Sequence, residues 1–545
     1  MESEPFTKQH RVISFVSDAL YRTTFVVSIG FFVTLLPTLI RFIDSFSVIS
    51  AVWPHAIRTL DWTMWGRQHA HYMPLVFFGL VVSGILLRRS VVADKRLAIV
   101  FLDLSLGAML CLIMLFFALD VFYLRGAFLL LPTLYASIIL TILLARHGGP
   151  TLRKKGSKDV DYRRLSHVLA VFLCSWLLLP GLPASFGLAP SPPKTPLFGY
   201  GSQPGPFDIQ TVSIPYDLPQ EVEKIRGDTE LDVDFSIHVY LPLVNSTDVP
   251  LIPLAIVLHG FLYPDENAYA DWISHLSARG MAVAFIQYPS DIWPANVESF
   301  TPTERGGVSD FLQHTYRHDS IRVALETMSL ALLSEQRNQN VDSILGSTLI
   351  SKDYLWIGGH SLGAAYSFFV LDFAMEHNWG QSALMVDFES PAPRPSQEVL
   401  QPKWSSLPDN TIVHSVVTQD DMSVGSCSGA FIQDFFTEHI GNNSVFIEVP
   451  SDKYGFPRMV ASHYLQTNPA HDSLADWGFY RRLDAQADWL TAESRNDSNT
   501  IEWSRNYLLD PDVLAPMGTW SDGTEVLPLK LIFGRDTSIK KYQDC

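Results

Sequence analysis

Two hydrophobic patterns divide the chain. Up to about position 187 the apolar residues come in long unbroken stretches, Thr24–Ile43, Tyr72–Leu87, Leu97–Phe117, Gly126–Ala145 and Leu165–Leu182. Hydrocarbon offers no partner to a backbone amide, so a span must bond within its own helix and takes roughly 20 apolar residues. The stretches predict an all-α bundle of about five transmembrane helices over residues 1–187, and their repetition argues against a single cleavable signal segment. From Leu188 to Phe207 the chain reads LAPSPPKTPLFGYGSQPGPF, whose six prolines and three glycines predict an extended linker over 188–207. Thereafter shorter apolar runs recur at strand length: Leu231–Leu243, Pro253–Leu258, Met281–Tyr288, Asp353–Ile357, Ala383–Phe388, Thr411–Thr418 and Ser444–Val449. Helical stretches, Ala268–Arg279, Asp319–Gln336 and Leu362–Glu376, lie between several of them. Continuous apolar strands alternating with helices predict an α/β domain over 208–545, with a mainly parallel sheet covered on both faces.

Charge sharpens the division. Only 17% of the 545 residues are charged and 47% are hydrophobic, against roughly 25% charged in ordinary soluble domains, which excludes a disordered or nucleic-acid-binding chain. There are 18 basic and 10 acidic residues up to position 190 and 21 and 46 beyond it, hence +8 and −25. Arg88, Arg89, Lys95 and Arg96, and then Arg146, Arg153, Lys154, Lys155, Lys158, Arg163 and Arg164, cluster in alternate loops. The positive-inside rule therefore puts the N-terminus in the cytoplasm and everything after Leu182 on the lumenal or extracellular side. Acceptor sequons at Asn245, Asn442 and Asn496 agree with a glycoprotein on that side. Asp103, in the third stretch, is expected to lean toward Lys95 or Arg96 at the interface, and His69 and His71 to sit in an aromatic belt with Trp53, Trp62 and Trp65. Four cysteines exclude a disulfide-stapled scaffold; Cys427, in a GSCSG loop, is expected to pair with Cys545.

Gly359-His360-Ser361-Leu362-Gly363 follows an apolar strand and opens into the amphipathic stretch AAYSFFVLDFAMEH. Chance supplies about 0.2 matches to G-x-S-x-G in a chain of this length, so the motif gains its weight from that strand-to-helix setting. A serine hydroxyl attacks only when a base takes its proton and a third group holds the base in the right tautomer. In this topology acid and histidine follow the serine in that order, after later strands. Asp421, just beyond Thr411–Thr418, is the expected orienting acid, with Asp420 its near alternative and Asp387 a third; His463 is the expected base and His471 the alternative. The backbone amides of Leu362 and of Phe261, in VLHGF, are the expected oxyanion donors, with His259 a loop anchor. This chemistry requires no metal and no cofactor.

Together VLHGF, MAVAFIQYP, IGGHSLGAA, VVTQDDMSVG and SHYLQTNP resemble the successive landmarks of α/β-hydrolase fold serine hydrolases, and within them esterases of the dienelactone-hydrolase, chlorophyllase and platelet-activating-factor-acetylhydrolase types. The resemblance covers about residues 230–495 and implies a Ser361, Asp421, His463 triad, a Phe261 and Leu362 oxyanion hole, and hydrolysis of carboxylic esters through an acyl-enzyme. It departs from chlorophyllases and acetylhydrolases in that these place their acid on the strand that carries Asp387, and chlorophyllases have Arg where Leu362 stands.

Between Ser290 and Arg317 an aromatic-rich insertion is read either as a cap over the pocket, with Trp293 and Phe300 as candidate substrate contacts, or equally as a solvent-exposed loop with incidental aromatics. An acidic domain disfavours anionic head groups, so neutral esters, including lipid esters from the bilayer, are the expected substrates. No protein partner is indicated. Two other readings stay open: a non-catalytic binding domain on the same fold, and a transporter or sensor with an appended hydrolase.

Overall fold

Strands buried on both faces have no polar side to turn outward, and here they read as nearly continuous Val, Ile, Leu and Ala. The computed structural model describes residues 23–40, 42–43, 96–122, 138–143 and most of 190–534, with its main gaps at 224–234, 245–250, 291–314 and 393–401. Its strands are β1 (Ile209–Pro215), β2 (Ser236–Pro242), β3 (Leu251–Leu258), β4 (Ala282–Ile286), β5 (Leu349–His360), β6 (Ala383–Glu389), β7 (Thr411–Thr418), β8 (Ser444–Val449) and β9 (Lys530–Phe533). They form one nine-stranded sheet in the order β1-β2-β4-β3-β5-β6-β7-β8-β9. Neighbours from β4 to β8 in that order run parallel, while β1, β2 and β9 add antiparallel edges. The apolar runs predicted the parallel strands; β1 and β9 escaped because edge strands expose one face or span too few residues to show a pattern.

Period-two alternation sends each central strand into two cores. Along β3, Leu254, Ile256 and Leu258 face one side with helices α4 (Thr315–Leu333), α5 (Gln339–Leu345), α6 (Leu362–Glu376) and α7 (Cys427–Ile440). Ala255 and Val257 face the other, with α3 (Ala270–Ser277), α8 (Arg481–Arg495) and α9 (Ser498–Leu509). Helix α7 corrects the expectation of a loop at Cys427: this residue opens the helix, with Ser426 before it. Cys427 is disulfide-bonded, its partner lying outside the described residues.

The chain divides into two compact units, Met1–Pro190 and Ser191–Cys545. The described part of the expected extended linker from Ser191 onward is hydrogen-bonded within the second unit. Ser191 exchanges hydrogen bonds with Ser521, the Trp477 indole donates to the Lys194 carbonyl, Thr195 donates to Asp476, and the Gly201 amide donates to the buried Asp484 carboxylate at 2.7 Å.

In the first unit, one helix among the described residues has the length and apolarity of a span, α1 (Thr23–Ile40), with a mean hydropathy of 2.0. The third expected stretch lies in α2 (Arg96–Phe122), whose apolar part, Ile99–Leu115, is shorter. The second and fifth expected spans and most of the fourth fall outside the described residues, as do His69 and His71, so one helix long and apolar enough to span is described rather than five. Asp103 is buried in the second of these helices, as is the free thiol of Cys111. The two helices cross at glycine: a Cβ on Gly30 would lie 2.1 Å from the Leu104 carbonyl oxygen, and one on Gly107 2.0 Å from that of Val27. In lipid such small-residue contacts replace hydrophobic burial as the force between helices. Gly107→Leu is expected to separate this pair and lower the melting temperature of the isolated first unit in detergent, whereas Phe32→Leu, at an exposed position, should leave it within a degree or so.

Candidate active site

Serine at position 361 is held by backbone. β5 ends at His360 and α6 begins at Leu362, and between them Ser361 has φ 59° and ψ −114°. Holding a non-glycine residue there costs on the order of 1–3 kcal/mol, so its surroundings must impose the conformation. Ser361 N–H donates to the Glu389 carbonyl and Ala392 N–H donates to the Ser361 carbonyl, both at 2.9 Å, tying the turn to the end of β6. Glycine is required on both sides. A Cβ at Gly359 would meet the Gly363 carbonyl carbon at 2.6 Å, and one at Gly363 would meet the Leu258 and His259 carbonyl oxygens at 2.3 and 2.5 Å.

The expected acid and base, Asp421 and His463, lie on the loops after β7 and β8, at the same end of the parallel sheet as Ser361. His463 Nδ1 lies 2.7 Å from Asp421 Oδ2, and both side chains are almost wholly buried. A carboxylate only accepts, so Nδ1 carries a proton, and in a neutral ring that leaves the lone pair at Nε2, the tautomer a general base needs. Asp421 Oδ1 is saturated by the Ser423 and Val424 amides, each at 2.9 Å. Against burial, which would raise it, His463 and these amides hold the Asp421 carboxyl below its ordinary value. The loops are tied together by Asp420 N–H donating to the Ala461 carbonyl. His463 is brought to the serine turn through its neighbour: His360 Nε2 lies 2.7 Å from the His463 carbonyl, and the two rings stand 4.7 Å apart.

The alternatives are placed elsewhere. Asp420 turns outward to Lys453 at 3.1 Å. Asp387 points to the opposite face of β6 from Phe388, into a buried group where Gln486 donates to it at 3.1 Å, Arg482 approaches at 3.5 Å, and Arg482 also pairs with Glu389. Burial and the Glu389 carboxylate push the Asp387 carboxyl well above its ordinary value. His471 is clamped between Asp271 and Asp476, 2.6 Å from each. Against burial, the hydrogen bonds and charges of these two carboxylates hold His471 up to about 9, so it is an imidazolium and not a base.

The expected oxyanion donors are Leu362, directly after the serine, and Phe261, in the loop after β3. Leu362 N–H is one of the first amides of α6, which have no acceptor in their own helix. In the loop after β3, His259 Nδ1 donates to the Gly260 carbonyl at 2.8 Å while its Nε2 accepts from Tyr288 N–H at 3.1 Å. Burial pulls His259 down to about 4, keeping it a neutral anchor. Because the peptide plane is trans, pinning the Gly260 carbonyl fixes the opposite direction for Phe261 N–H. Trp293 and Phe300 lie outside the described residues. Sequence reasoning missed Tyr269, whose hydroxyl accepts from Gly260 N–H at 2.9 Å and meets His360 Nδ1 at 3.2 Å; no spacing rule links position 269 to 260 or 360.

No family model and no curated protein matches the chain. Among solved structures, carboxyl esterase 2 of the mycorrhizal fungus Tuber melanosporum is 13% identical, with a TM-score of 0.32 over 54% of this chain and 90% of that one. A structure from work on two esterases of Rhizomucor miehei has the same identity and score, covering 54% of this chain and 86% of its own.

Two predictions follow from the geometry. Gly363→Ala should destabilise the second unit by about 3 kcal/mol, read as a lower denaturation midpoint, because the obstructing atoms are backbone. His471 has a folded pKa above its ordinary 6.5, so its contribution to stability is complete below that pH and lost as pH rises through about 9. Thermal unfolding of the wild-type chain should fall between these pH values more steeply than that of His471→Gln.

Proposed function

We propose that the chain is a serine ester hydrolase of the α/β-hydrolase type, carried on a multi-pass membrane region, with its catalytic domain on the lumenal or extracellular side. The observation that carries the reading is the buried Asp421–His463 pair, 2.7 Å apart through Nδ1, on loops at the same sheet end as the strained Ser361 turn. In the reaction Ser361 Oγ attacks the ester carbonyl as its proton passes to His463 Nε2. The carbonyl oxygen becomes an oxyanion facing Phe261 N–H and Leu362 N–H. Collapse expels the alcohol, which leaves with the proton from His463, and an acyl-serine remains. Water, deprotonated by the same imidazole, then releases the acid and restores the hydroxyl. Asp421 keeps the ring oriented and offsets the imidazolium charge without itself taking a proton.

The membrane part of the reading is supported by the apolar helix Thr23–Ile40, with Phe25, Phe32, Val33 and Ile40 exposed along it. Its sidedness is supported by the basic loops, by the Cys427 disulfide, a bond that persists in oxidising compartments, and by the exposure of sequon residues Asn442 and Asn496. The acidic second half favours neutral ester substrates, among them lipid esters delivered by the adjoining bilayer.

A fluorophosphonate probe is expected to label the wild-type chain and Cys427→Ser but not Ser361→Ala. Asp421→Asn should lower kcat by about 10⁴-fold, as loss of the orienting acid does in such triads. Asp387→Asn, remote from the base, should retain turnover in whatever fraction folds; the reverse ranking of the two would overturn the assignment.

A further inference from the structure

Four residues from separate segments, Gly260, Tyr269, His360 and His463, are joined in one hydrogen-bonded chain through a buried ring. His360, the last residue of β5, is almost wholly buried, and its Nε2 faces the His463 carbonyl at 2.7 Å. A carbonyl only accepts, so Nε2 carries the proton, and the lone pair of the neutral imidazole is at Nδ1. Tyr269 must then donate to Nδ1, leaving its oxygen to accept from Gly260 N–H. Every donor and acceptor is used once, in one direction: Gly260 N–H to Tyr269, Tyr269 O–H to His360, His360 N–H to the His463 carbonyl. Hydrogen bonds in such a chain polarise one another, so breaking one weakens the rest. Burial, with His463 acting in the same sense, pulls His360 down to about 3, which keeps the ring in the single protonation state that this chain of bonds requires. Nor is there slack around it. A Cβ at Gly260 would fall 3.1 Å from His360 Nδ1 and 3.2 Å from the Tyr269 hydroxyl.

We propose that His360 is a positioning residue for the esterase reaction, holding the loop of the base and, through Tyr269, the loop of the Phe261 oxyanion donor to the strand that presents Ser361. The proposal rests on the serine hydrolase reading of the same site. Its logic is mechanical. Gly260 is gripped at its carbonyl by His259 and at its amide by Tyr269, so the direction of the next amide, Phe261 N–H, depends on both. The base loop is gripped at the His463 carbonyl by His360 and three residues on by Gln466, which donates to Glu389 at 2.8 Å and to Ser390 at 3.3 Å. Without His360 the Asp421–His463 pair survives, but its register against Ser361 loses the bond closest to the serine strand and rests on more distant ties such as the Gln466 grip and the link to the acid loop. Misplacement by about 1 Å is enough to cost on the order of 100-fold in rate.

The test uses the full chain in detergent micelles with p-nitrophenyl butyrate. His360→Leu should lower kcat by about 10- to 100-fold with KM within about threefold. His360→Gln, whose amide nitrogen takes the place of Nε2, should recover at least a third of that loss on a logarithmic scale. Tyr269→Phe keeps the ring against Trp272 and Phe285 but breaks the chain, and should lower kcat about tenfold. Combined with His360→Leu it should add clearly less than the full tenfold, because the Tyr269–His360 link is already gone. A folded His360→Leu within twofold of wild-type kcat, or losses that multiply in the double variant, would overturn the proposal. Should His360→Leu fail to fold, Tyr269→Phe decides: wild-type kcat sinks the proposal and a tenfold fall at constant KM supports it. A wild-type chain that neither hydrolyses the ester nor reacts with a fluorophosphonate at Ser361 overturns the enzyme reading as well. Labelling that persists while only the His360 and Tyr269 effects are missing removes the positioning role alone.

Discussion

The close approach of three backbones governs the site. β3, β5 and the first turn of α6 come together with no room for a Cβ at Gly359 or Gly363, and the residue between them is forced to a positive φ. That contact is available only because the central strands are parallel and covered on both faces. Their C-terminal ends then open to one side, where loops can gather without competing for sheet hydrogen bonds. The energy stored in the Ser361 turn is offset by the two hydrogen bonds to the end of β6 and by the burial of Leu362, Ala364 and Tyr366 in the adjoining core. Remove the glycines and the serine loses its position before it loses its hydroxyl.

What could be read from residue order alone was whatever is local. The elbow is a strand, a turn and a helix within a short span, and each leaves its own mark, so Ser361 and Leu362 stood out. Asp421 and Asp420 are adjacent and chemically identical, and what separates them is conformational. Two amides just downstream fold back onto Asp421, while Asp420 finds Lys453 across a gap that no short-range rule measures. His471 and Asp387 were set aside by partners distant in sequence, Asp271 for the one and Arg482 for the other. Helix α8 eluded the pattern because it breaks it. Its sequence RRLDAQADWLTAESR looks like a solvated surface helix, yet Arg481, Arg482, Asp484 and Gln486 are buried. Period-based reading takes polar residues for exposed ones, and fails where a helix buries charges that have found their complements.

Those complements make one face of the sheet unusual. Gln486 accepts from the Trp356 indole at 2.8 Å and donates to Asp387, while Arg482 answers Glu389. Asp484 collects His275 and Arg279, each at 2.7 Å. Buried ion pairs of this kind add little net stability over an apolar core, because the desolvation they require consumes most of the attraction. What they impose is uniqueness: α8 slides or rotates only by stranding a charge. Gln466 carries that rigidity onward to the loop of His463. The carboxylate that a strand pattern nominates for chemistry thus serves as ballast beneath it.

The proline-rich strap has a consequence of its own. A flexible leash of glycine and serine would surrender many conformations on lying down against Trp477 and Ser521, and its docking would be largely cancelled by that loss. Prolines 190, 192, 193 and 196 remove most of this freedom in advance, so a handful of hydrogen bonds suffices to keep the strap in place. The turn it is anchored on is the π-helical one at Asp476–Tyr480, reached through Thr195 and the Trp477 indole, so the strap and the His471 clamp share the carboxylate of Asp476.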